Sequence, residues 1–96
     1  MTKYDAIVIG AGHNGLIAAS YLAKAGHSVI VLDGRASPGG CASSKPMGEG
    51  FTVSDCAQWI TQLDPKIVSD LKLGQHGLLL GEAKSTIALQ ADGDHL

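Results

Sequence analysis

The sequence predicts an α/β fold that opens with one strand–helix–strand unit and needs further strands to complete its sheet. Two short runs, Ala6–Ile9 and Val29–Leu32, are apolar without polar alternation, which is typical of strands covered on both faces. The stretch between them has the periodicity of a helix. A glycine-rich turn, Gly10 to Gly15, joins the first run to that helix. These three observations together indicate a parallel strand pair with a helical crossover.

The first unit spans about residues 4–33. We expect a strand over residues 4–9, a helix from Asn14 to Ala25 and a second strand from Ser28 to Asp33. Two parallel strands joined in this way cross over right-handedly in nearly all known cases. Small residues recur at four-residue spacing on one helix face, at Gly15, Ala19 and Ala23. Such a face suits close packing of the helix on the sheet.

The remainder of the chain has weaker signals. Residues 34–50 are rich in glycine, proline and serine, which predicts a loop. Asp64-Pro65 is a strong helix start, because an N-cap side chain precedes a proline at the first helical position. We expect Ile67, Val68 and Leu71 to form the inner face of that helix and Gly74 to end it. The other predicted elements are a short strand at Phe51–Val53, a helix from Asp55 to Leu63, a strand over residues 85–90 and a hairpin turn at Asp92-Gly93.

Composition excludes several classes of protein. The net charge of −2 argues against a nucleic-acid partner, which would require a basic patch. We find no apolar run long enough to predict a transmembrane helix, although peripheral membrane contact stays open. The first apolar run begins too early for a signal peptide, which predicts a cytoplasmic protein. The unpaired strands and the turn at Asp92-Gly93 predict that residues 1–96 are the N-terminal portion of a longer domain.

The segment Gly10-x-Gly12-x-x-Gly15 matches the dinucleotide-binding fingerprint of a Rossmann-like unit, since it follows a strand and opens a helix. Gly10 permits the tight turn, Gly12 lets a pyrophosphate approach the backbone, and Gly15 lets the helix approach the sheet. The helix N-terminus then binds the phosphates. The predicted cofactor contacts in this loop are Gly10, Ala11, Gly12, His13, Asn14 and Gly15.

Asp33 ends the second strand, where a carboxylate can accept hydrogen bonds from both hydroxyls of an adenosine ribose. It would also repel the 2′-phosphate of NADP. A second glycine pair, Gly39-Gly40, follows the acid and favours FAD over NAD, since a plain NAD-binding unit needs no such pair. Arg35 can reach the adenine or ribose, or pair with the acid. The predicted contacts in this second segment are Asp33, Gly34, Arg35, Gly39, Gly40 and Cys41.

Several segments together resemble the phytoene-dehydrogenase-like FAD-dependent oxidoreductases. They occur in the family's order: Ile7–Leu16 with its Gly-His-Asn-Gly core, Pro38-Gly39-Gly40, Gly50–Ser54, Leu63-Asp64-Pro65, His76-Gly77-Leu78 and Asp92-Gly93. The resemblance implies a longer two-domain flavoprotein that binds extended FAD, with its ADP half on the residues named above. The sequence departs from the family pattern at Asp33, where glutamate is usual, and at Cys41, where a small residue such as alanine is usual.

The resemblance implies flavin-mediated oxidation of a small, apolar substrate, by a desaturase, dehydrogenase or amine-oxidase-like enzyme whose catalytic residues lie outside this chain. Three alternatives stay open: an NAD-dependent dehydrogenase, a flavin-dependent isomerase, and a truncated non-enzymatic fragment. Cys41 and Cys56 lack the spacing of disulfide reductases and predict neither a disulfide framework nor a metal site. We expect Cys56 to lie in the core, Trp59 to serve packing, and His13 to cover the adenine-binding edge.

Overall fold

The computed structural model describes residues 2–60, 62–82, 91 and 93. Strand β1 (Ala6–Ile9), helix α1 (His13–Lys24) and strand β2 (Val29–Leu32) form the predicted strand–helix–strand unit. The two strands pair in parallel, with Ala6 opposite Val29 and Ile9 opposite Leu32. The α/β fold class and its Rossmann-like unit are therefore confirmed.

Local sequence accounts for both ends of α1. Gly12 precedes the helix in an extended conformation, and Lys24 places a positive charge in the last turn, where it suits the helix dipole. Gly26 then adopts a φ of 93°, which is favourable only for glycine, and its N–H donates to the Ala23 carbonyl at 3.0 Å. The helix packs on both β1 and β2. Ala19, on the predicted small-residue face, is buried.

A second sheet corrects the prediction of a loop over residues 34–50. Strand β3 (Ser44–Pro46) pairs antiparallel with strand β4 (Thr52–Ser54), which confirms the short strand predicted near Phe51. A short 3-10 helix at Gly40–Ala42 precedes β3. The loop prediction failed because Lys45 and Pro46 are poor strand formers, and their pairing depends on residues that lie later in the chain.

Helix α2 (Pro65–Asp70) begins as predicted, since the Asp64 side chain accepts a hydrogen bond from the N–H of Lys66 at 2.8 Å. Its inner-face residues Ile67 and Val68 are half-buried. Two predictions here are wrong. Gly74 does not end α2, because that residue lies inside a separate 3-10 helix at Leu73–His76. The predicted helix from Asp55 to Leu63 is absent from residues 55–60 and 62–63.

Buried apolar residues are few in the described part of the chain. Ala11 and Ala19 are the two apolar residues in the described part of the chain that are buried. The predicted strand over residues 85–90 lies outside the described residues, as does Asp92 of the predicted turn. In the part of the chain that the structure describes, no helix combines the length and apolar character needed to cross a membrane. The cytoplasmic location stays a prediction.

Candidate functional site

The glycine-rich loop leaves β1 through a turn that only glycine adopts readily. Gly10 has a φ of 102°, and its N–H donates to the Leu32 carbonyl of β2 at 2.7 Å. The chain then reaches Gly12, and the Gly12 carbonyl accepts from the N–H of Leu16 at 3.0 Å to start α1. The loop is thus anchored to both strands and feeds directly into the helix N-terminus.

Gly12 and Gly15 lack side chains for different reasons. A Cβ on Gly15 would lie 2.0 Å from the Gly10 carbonyl oxygen, so packing of the helix on the loop requires a glycine there. A Cβ on Gly12 would meet only the Gly40 Cα, at an ordinary contact distance of 3.9 Å. The φ of Gly12 is −73°, which any residue adopts. Neither the protein's packing nor its backbone conformation therefore requires glycine at position 12.

The N-terminus of α1 has the features of an anion-binding site. Helix geometry leaves the N–H groups of its first residues, His13 and Asn14, without carbonyl partners inside the helix. Among the residues that the structure describes, no side chain caps this end, and no acidic residue lies in the first turn. The positive end of the helix dipole and these N–H groups therefore face the space beside Gly12, and the first turn of the helix itself adds no negative charge there.

The second glycine pair packs directly against the first loop. The Gly39 N–H donates to the Ala11 carbonyl at 2.7 Å, and Gly39 forms a parallel bridge with Gly12. Both Gly39 and Gly40 have positive φ, at 122° and 57°. A Cβ on Gly40 would lie 2.9 Å from the Gly12 Cα, so the two backbones approach more closely than any side chain permits.

These two backbone segments enclose a groove of about 350 Å³. Most of its wall comes from residues that the sequence predicts as cofactor contacts. The residues that line it are Ile9, Gly10, Gly12, His13, Asn14, Gly15, Gly40 and Cys41. We call this space the glycine groove. Four of these eight lining residues are glycines, which let a phosphate approach the backbone closely.

Asp33 lies beside the groove and holds the loop in place. One carboxylate oxygen accepts from the Ala11 N–H at 2.6 Å, and the other accepts from the Arg35 N–H at 2.7 Å. These two hydrogen bonds, with that from Arg35 as the larger influence, lower the pKa of Asp33. Each oxygen keeps a further acceptor position, and the residue is exposed. The carboxylate is therefore ionised at neutral pH and free to accept further donors.

The other predicted contacts lie around Asp33 rather than on the groove wall. Ala11 is buried beneath the loop and contributes its N–H to Asp33. Gly34 has open space around the position of a Cβ, and Arg35 is exposed beside it. Gly39 lies behind Gly40, where Ser43 restricts it, since a Cβ on Gly39 would lie 3.0 Å from the Ser43 Cβ. The binding roles of these residues stay predictions.

A second cavity, of about 470 Å³, adjoins the glycine groove and shares His13 and Asn14 with it. Its remaining lining is mostly apolar and includes Trp59, whose surface is 56% exposed. The other lining residues are Ile17, Ala42, Ala57, Ile60, Gln62, Leu63 and Ile67. Trp59 is thus only partly packed. Cys56 is exposed, which contradicts its predicted place in the core, because its segment runs along the surface without helical structure.

Comparison with known proteins agrees with this geometry. The sequence profile of the NAD(P)-binding Rossmann-like domains matches residues 8–72, which include the glycine loop, Asp33 and the second glycine pair. The chain belongs to this family. Membership identifies a dinucleotide as the kind of cofactor that the unit binds. The narrower resemblance to phytoene-dehydrogenase-like enzymes, and FAD as the particular dinucleotide, stay predictions.

Several curated relatives share the segment. The mouse "pyridine nucleotide-disulfide oxidoreductase domain-containing protein 2" is 45% identical over 78 residues, which cover 81% of this chain and 13% of the relative. One of the subunits of limonene dehydrogenase from Castellaniella defragrans is 42% identical over 60 residues, 62% of this chain and 11% of its own. Human all-trans-retinol 13,14-reductase is 54% identical over 39 residues, 41% of this chain and 6% of its own. The chain thus spans a small part of each relative.

Two features of the site had little signal in the sequence. Ser43 donates from its Oγ to the Gly40 carbonyl at 2.8 Å and so fixes the turn that carries the second glycine pair. A serine in a glycine-rich loop is too common to single out. The hairpin of β3 and β4 also brings Cys41 and Cys56 together, although they are 15 positions apart. Only the pairing of the segment after β4 with the segment before β3 would have indicated that the two cysteines are neighbours.

Proposed function

We propose that this chain binds the ADP half of FAD, as the dinucleotide-binding segment of a longer flavin-dependent oxidoreductase. The observation that supports it most is the packing of the second glycine pair on the first loop, where Gly39 bridges Gly12 and Gly40 lies against it. A unit that binds only NAD has no need of a second backbone segment at the pyrophosphate position. The close approach of the two loops suits a ligand held from both sides.

Gly12 supports the proposal independently. The protein's own packing leaves room for a Cβ at this position, so the absence of a side chain is explained by a ligand that occupies the space. The N–H groups of His13 and Asn14 would donate to the pyrophosphate oxygens at the positive end of α1. Gly40 would face the same phosphates from the opposite wall.

Asp33 would bind the adenosine ribose. Its oxygens keep acceptor positions beyond those used by Ala11 and Arg35, so the ribose hydroxyls can donate to them without displacing the loop. Its negative charge would repel the 2′-phosphate of NADP, which disfavours that cofactor. The residues present therefore fit FAD or NAD, and the second glycine pair favours FAD.

The proposed reaction is oxidation or reduction of a small apolar molecule. When FAD is bound, its flavin ring supplies the site that accepts or donates the hydride. This chain's own part is to bind and orient the dinucleotide. The names of two relatives refer to limonene and to retinol, which are apolar molecules, and support an apolar substrate class.

Titration calorimetry of the flavin-free protein with FAD and with NAD⁺ tests the proposal. We expect FAD to bind with one-to-one stoichiometry and at least about tenfold more tightly than NAD⁺. ADP should compete with FAD, because the proposed contacts are to the ADP half. Tighter binding of NAD⁺ than of FAD would refute the proposal and favour an NAD-dependent dehydrogenase.

A further inference from the structure

The hairpin of β3 and β4 extends toward the glycine groove as an irregular ladder. The Asp55 N–H donates to the Ser43 carbonyl at 2.9 Å, and the Ala57 N–H donates to the Cys41 carbonyl at 2.8 Å. These bonds hold the segment after β4 alongside the segment before β3. Cys56 directly precedes the residue whose N–H donates to the Cys41 carbonyl, so the backbones of the two cysteines lie side by side.

The two thiols meet because the ladder is irregular. In a regular antiparallel pair, Cys41 would share a face with Ala57 and not with Cys56. The 3-10 helix at Gly40–Ala42 breaks this alternation on one side, and bends at residues 55 and 56 break it on the other. The neighbouring Cys41 side chain is the largest of the influences that raise the pKa of Cys56. Both cysteines are exposed, so a small oxidant can reach them.

We propose that Cys41 and Cys56 form a reversible intramolecular disulfide on the wall of the glycine groove. Neither cysteine has a role in the proposed binding of phosphate or ribose that depends on its thiol. Their proximity comes instead from the hairpin, which brings together residues that lie 15 positions apart. The inference does not rest on the identity of the dinucleotide.

The oxidant would be a low-molecular-weight disulfide, such as glutathione disulfide. The Cys41 thiolate attacks one of its sulfurs, the S–S bond breaks, and one glutathione thiolate leaves. The Cys56 thiol, whose pKa is raised, must first lose its proton to solvent to become the reactive thiolate. The Cys56 thiolate then attacks the Cys41 sulfur and releases the second glutathione. Two protein thiols are oxidised, and one glutathione disulfide is reduced to two thiols.

The disulfide would join the groove wall to the segment after β4. Cys41 directly follows Gly40, whose Cα packs on Gly12, so the new bond would restrain the second glycine pair. It would close a loop that includes β3 and β4. Reduction would release that restraint while the backbone hydrogen bonds of the hairpin stay in place.

Trypsin makes the bond directly measurable. Lys45 is followed by Pro46, so trypsin does not cleave there. Cleavage after Arg35 and after Lys66 therefore releases both cysteines in one peptide. The protein is equilibrated in glutathione buffers of graded ratio, quenched with acid, alkylated and digested. The disulfide form of that peptide lacks the mass of two hydrogens and takes up no alkylating agent. The same series in urea measures the pairing that chain flexibility alone permits.

The quantity measured is the squared concentration of glutathione divided by the concentration of glutathione disulfide, taken where half of the protein carries the disulfide. We expect this ratio to be at least about tenfold higher for the native protein than for the urea-unfolded protein. A matched control carries Cys56→Ser and Thr52→Cys, which moves the second thiol along β4 to a position opposite Pro46. This control should show no such advantage of the native state. Equal values for native and unfolded wild type, or glutathione adducts without the internal disulfide, would overturn the proposal.

Discussion

At the scale of single residues, Asp33 combines one task that the structure shows and one that we propose, and both use the same carboxylate. It fixes the glycine loop through the Ala11 N–H, and it is the proposed partner of the ribose. Aspartate suits both tasks, because its short side chain reaches the backbone of the loop while the outer lone pairs stay available. A glutamate there would reach further toward a ribose and would fit the Ala11 N–H less closely.

Replacement of Asp33 should therefore affect both binding and the loop. We expect Asp33→Ala to weaken FAD binding at least about tenfold, because charge-assisted hydrogen bonds to the ribose are lost. Asp33→Glu should weaken it much less, since the carboxylate is retained. Titration calorimetry of the three proteins measures the difference. Equal dissociation constants for wild type and Asp33→Ala would show that this acid does not contact the cofactor.

The lowered pKa of Asp33 predicts a pH dependence of stability. Since the ionised form is favoured in the folded state, its contribution is fully present above the ordinary pKa of aspartate and is lost as the pH falls through the lowered value. Asp33→Asn lacks this contribution at every pH. The difference in melting temperature between wild type and Asp33→Asn should be largest above about pH 4 and shrink below it. A difference that is constant with pH would contradict the assignment.

A substitution at Gly12 should affect cofactor binding much more than folding. We expect Gly12→Val to abolish measurable FAD binding, because the branched side chain fills the space left for the pyrophosphate. Its effect on folding should be small, since no backbone atom blocks the new Cβ. Gly74→Ala is the control, as its added Cβ has no atom within 4 Å and lies away from the groove. Bound flavin at full stoichiometry in Gly12→Val would contradict the expectation.

At the scale of elements, helix α1 is fixed at both ends. Its N-terminus lies on the glycine loop through Gly15, and its C-terminal half contacts α2. Tyr21 Oη donates to Asp70 Oδ2 at 2.8 Å, and Lys24 Nζ donates to the Asp70 carbonyl at 2.6 Å. The hydrogen bond to Asp70 is the main cause that raises the pKa of Tyr21. The helix that points at the groove is therefore oriented by contacts at some distance from it.

The contact at Gly15 predicts an unusual effect of alanine in a helix. Gly→Ala ordinarily stabilises a helix interior by roughly 0.5–1 kcal/mol. At Gly15 the Cβ would lie 2.0 Å from the Gly10 carbonyl oxygen, so we expect a net destabilisation of about 1–3 kcal/mol. Urea unfolding of Gly15→Ala and of the Gly74→Ala control measures it. A stabilised Gly15→Ala would show that the loop and helix separate without cost.

The same elements show how far local sequence signals reach. The strand–helix–strand unit and the start of α2 are predictable because their signals lie within a few neighbouring residues, such as Asp64-Pro65. The apolar residues between Asp55 and Leu63 predict a helix that the structure does not contain at the described positions. The N–H groups of Asp55 and Ala57 instead pair with carbonyls of Ser43 and Cys41. Such long-range pairing overrides helix propensity and leaves no trace in the local sequence.

The glycine groove likewise combines residues that the sequence predicts with contacts that only the structure shows. Gly10, Gly12 and Gly15 are predictable because the fingerprint fixes their spacing along one chain segment. The part of the site that depends on Gly39 and Gly40 required a structure to locate, since their contact with Gly12 joins two loops. The proximity of Cys41 to Cys56 depends in addition on an irregular ladder, which no spacing rule describes.

At the scale of the whole molecule, the described residues leave large apolar side chains exposed. Ile9 at the end of β1 is 88% exposed and Leu79 is 90% exposed. The sheet of β1 and β2 has two strands, and parallel strands are ordinarily stable only within larger, covered sheets. The apolar surface therefore requires further burial to be stable in water.

We therefore expect the 96-residue chain in isolation to melt broadly and to self-associate. Exposed apolar strands with unpaired edges readily pair with other chains. Saturating FAD should raise the melting temperature, because a ligand that binds only the folded state stabilises it in proportion to the logarithm of its concentration over Kd. Gly12→Val should show no such rise, which separates binding from non-specific effects of the dinucleotide. Size-exclusion chromatography and thermal melting at two protein concentrations measure both properties. A monodisperse monomer with a sharp, concentration-independent transition in the absence of FAD would contradict this expectation, because it would require that the two buried alanines and the two small sheets found among the described residues suffice for a cooperative core.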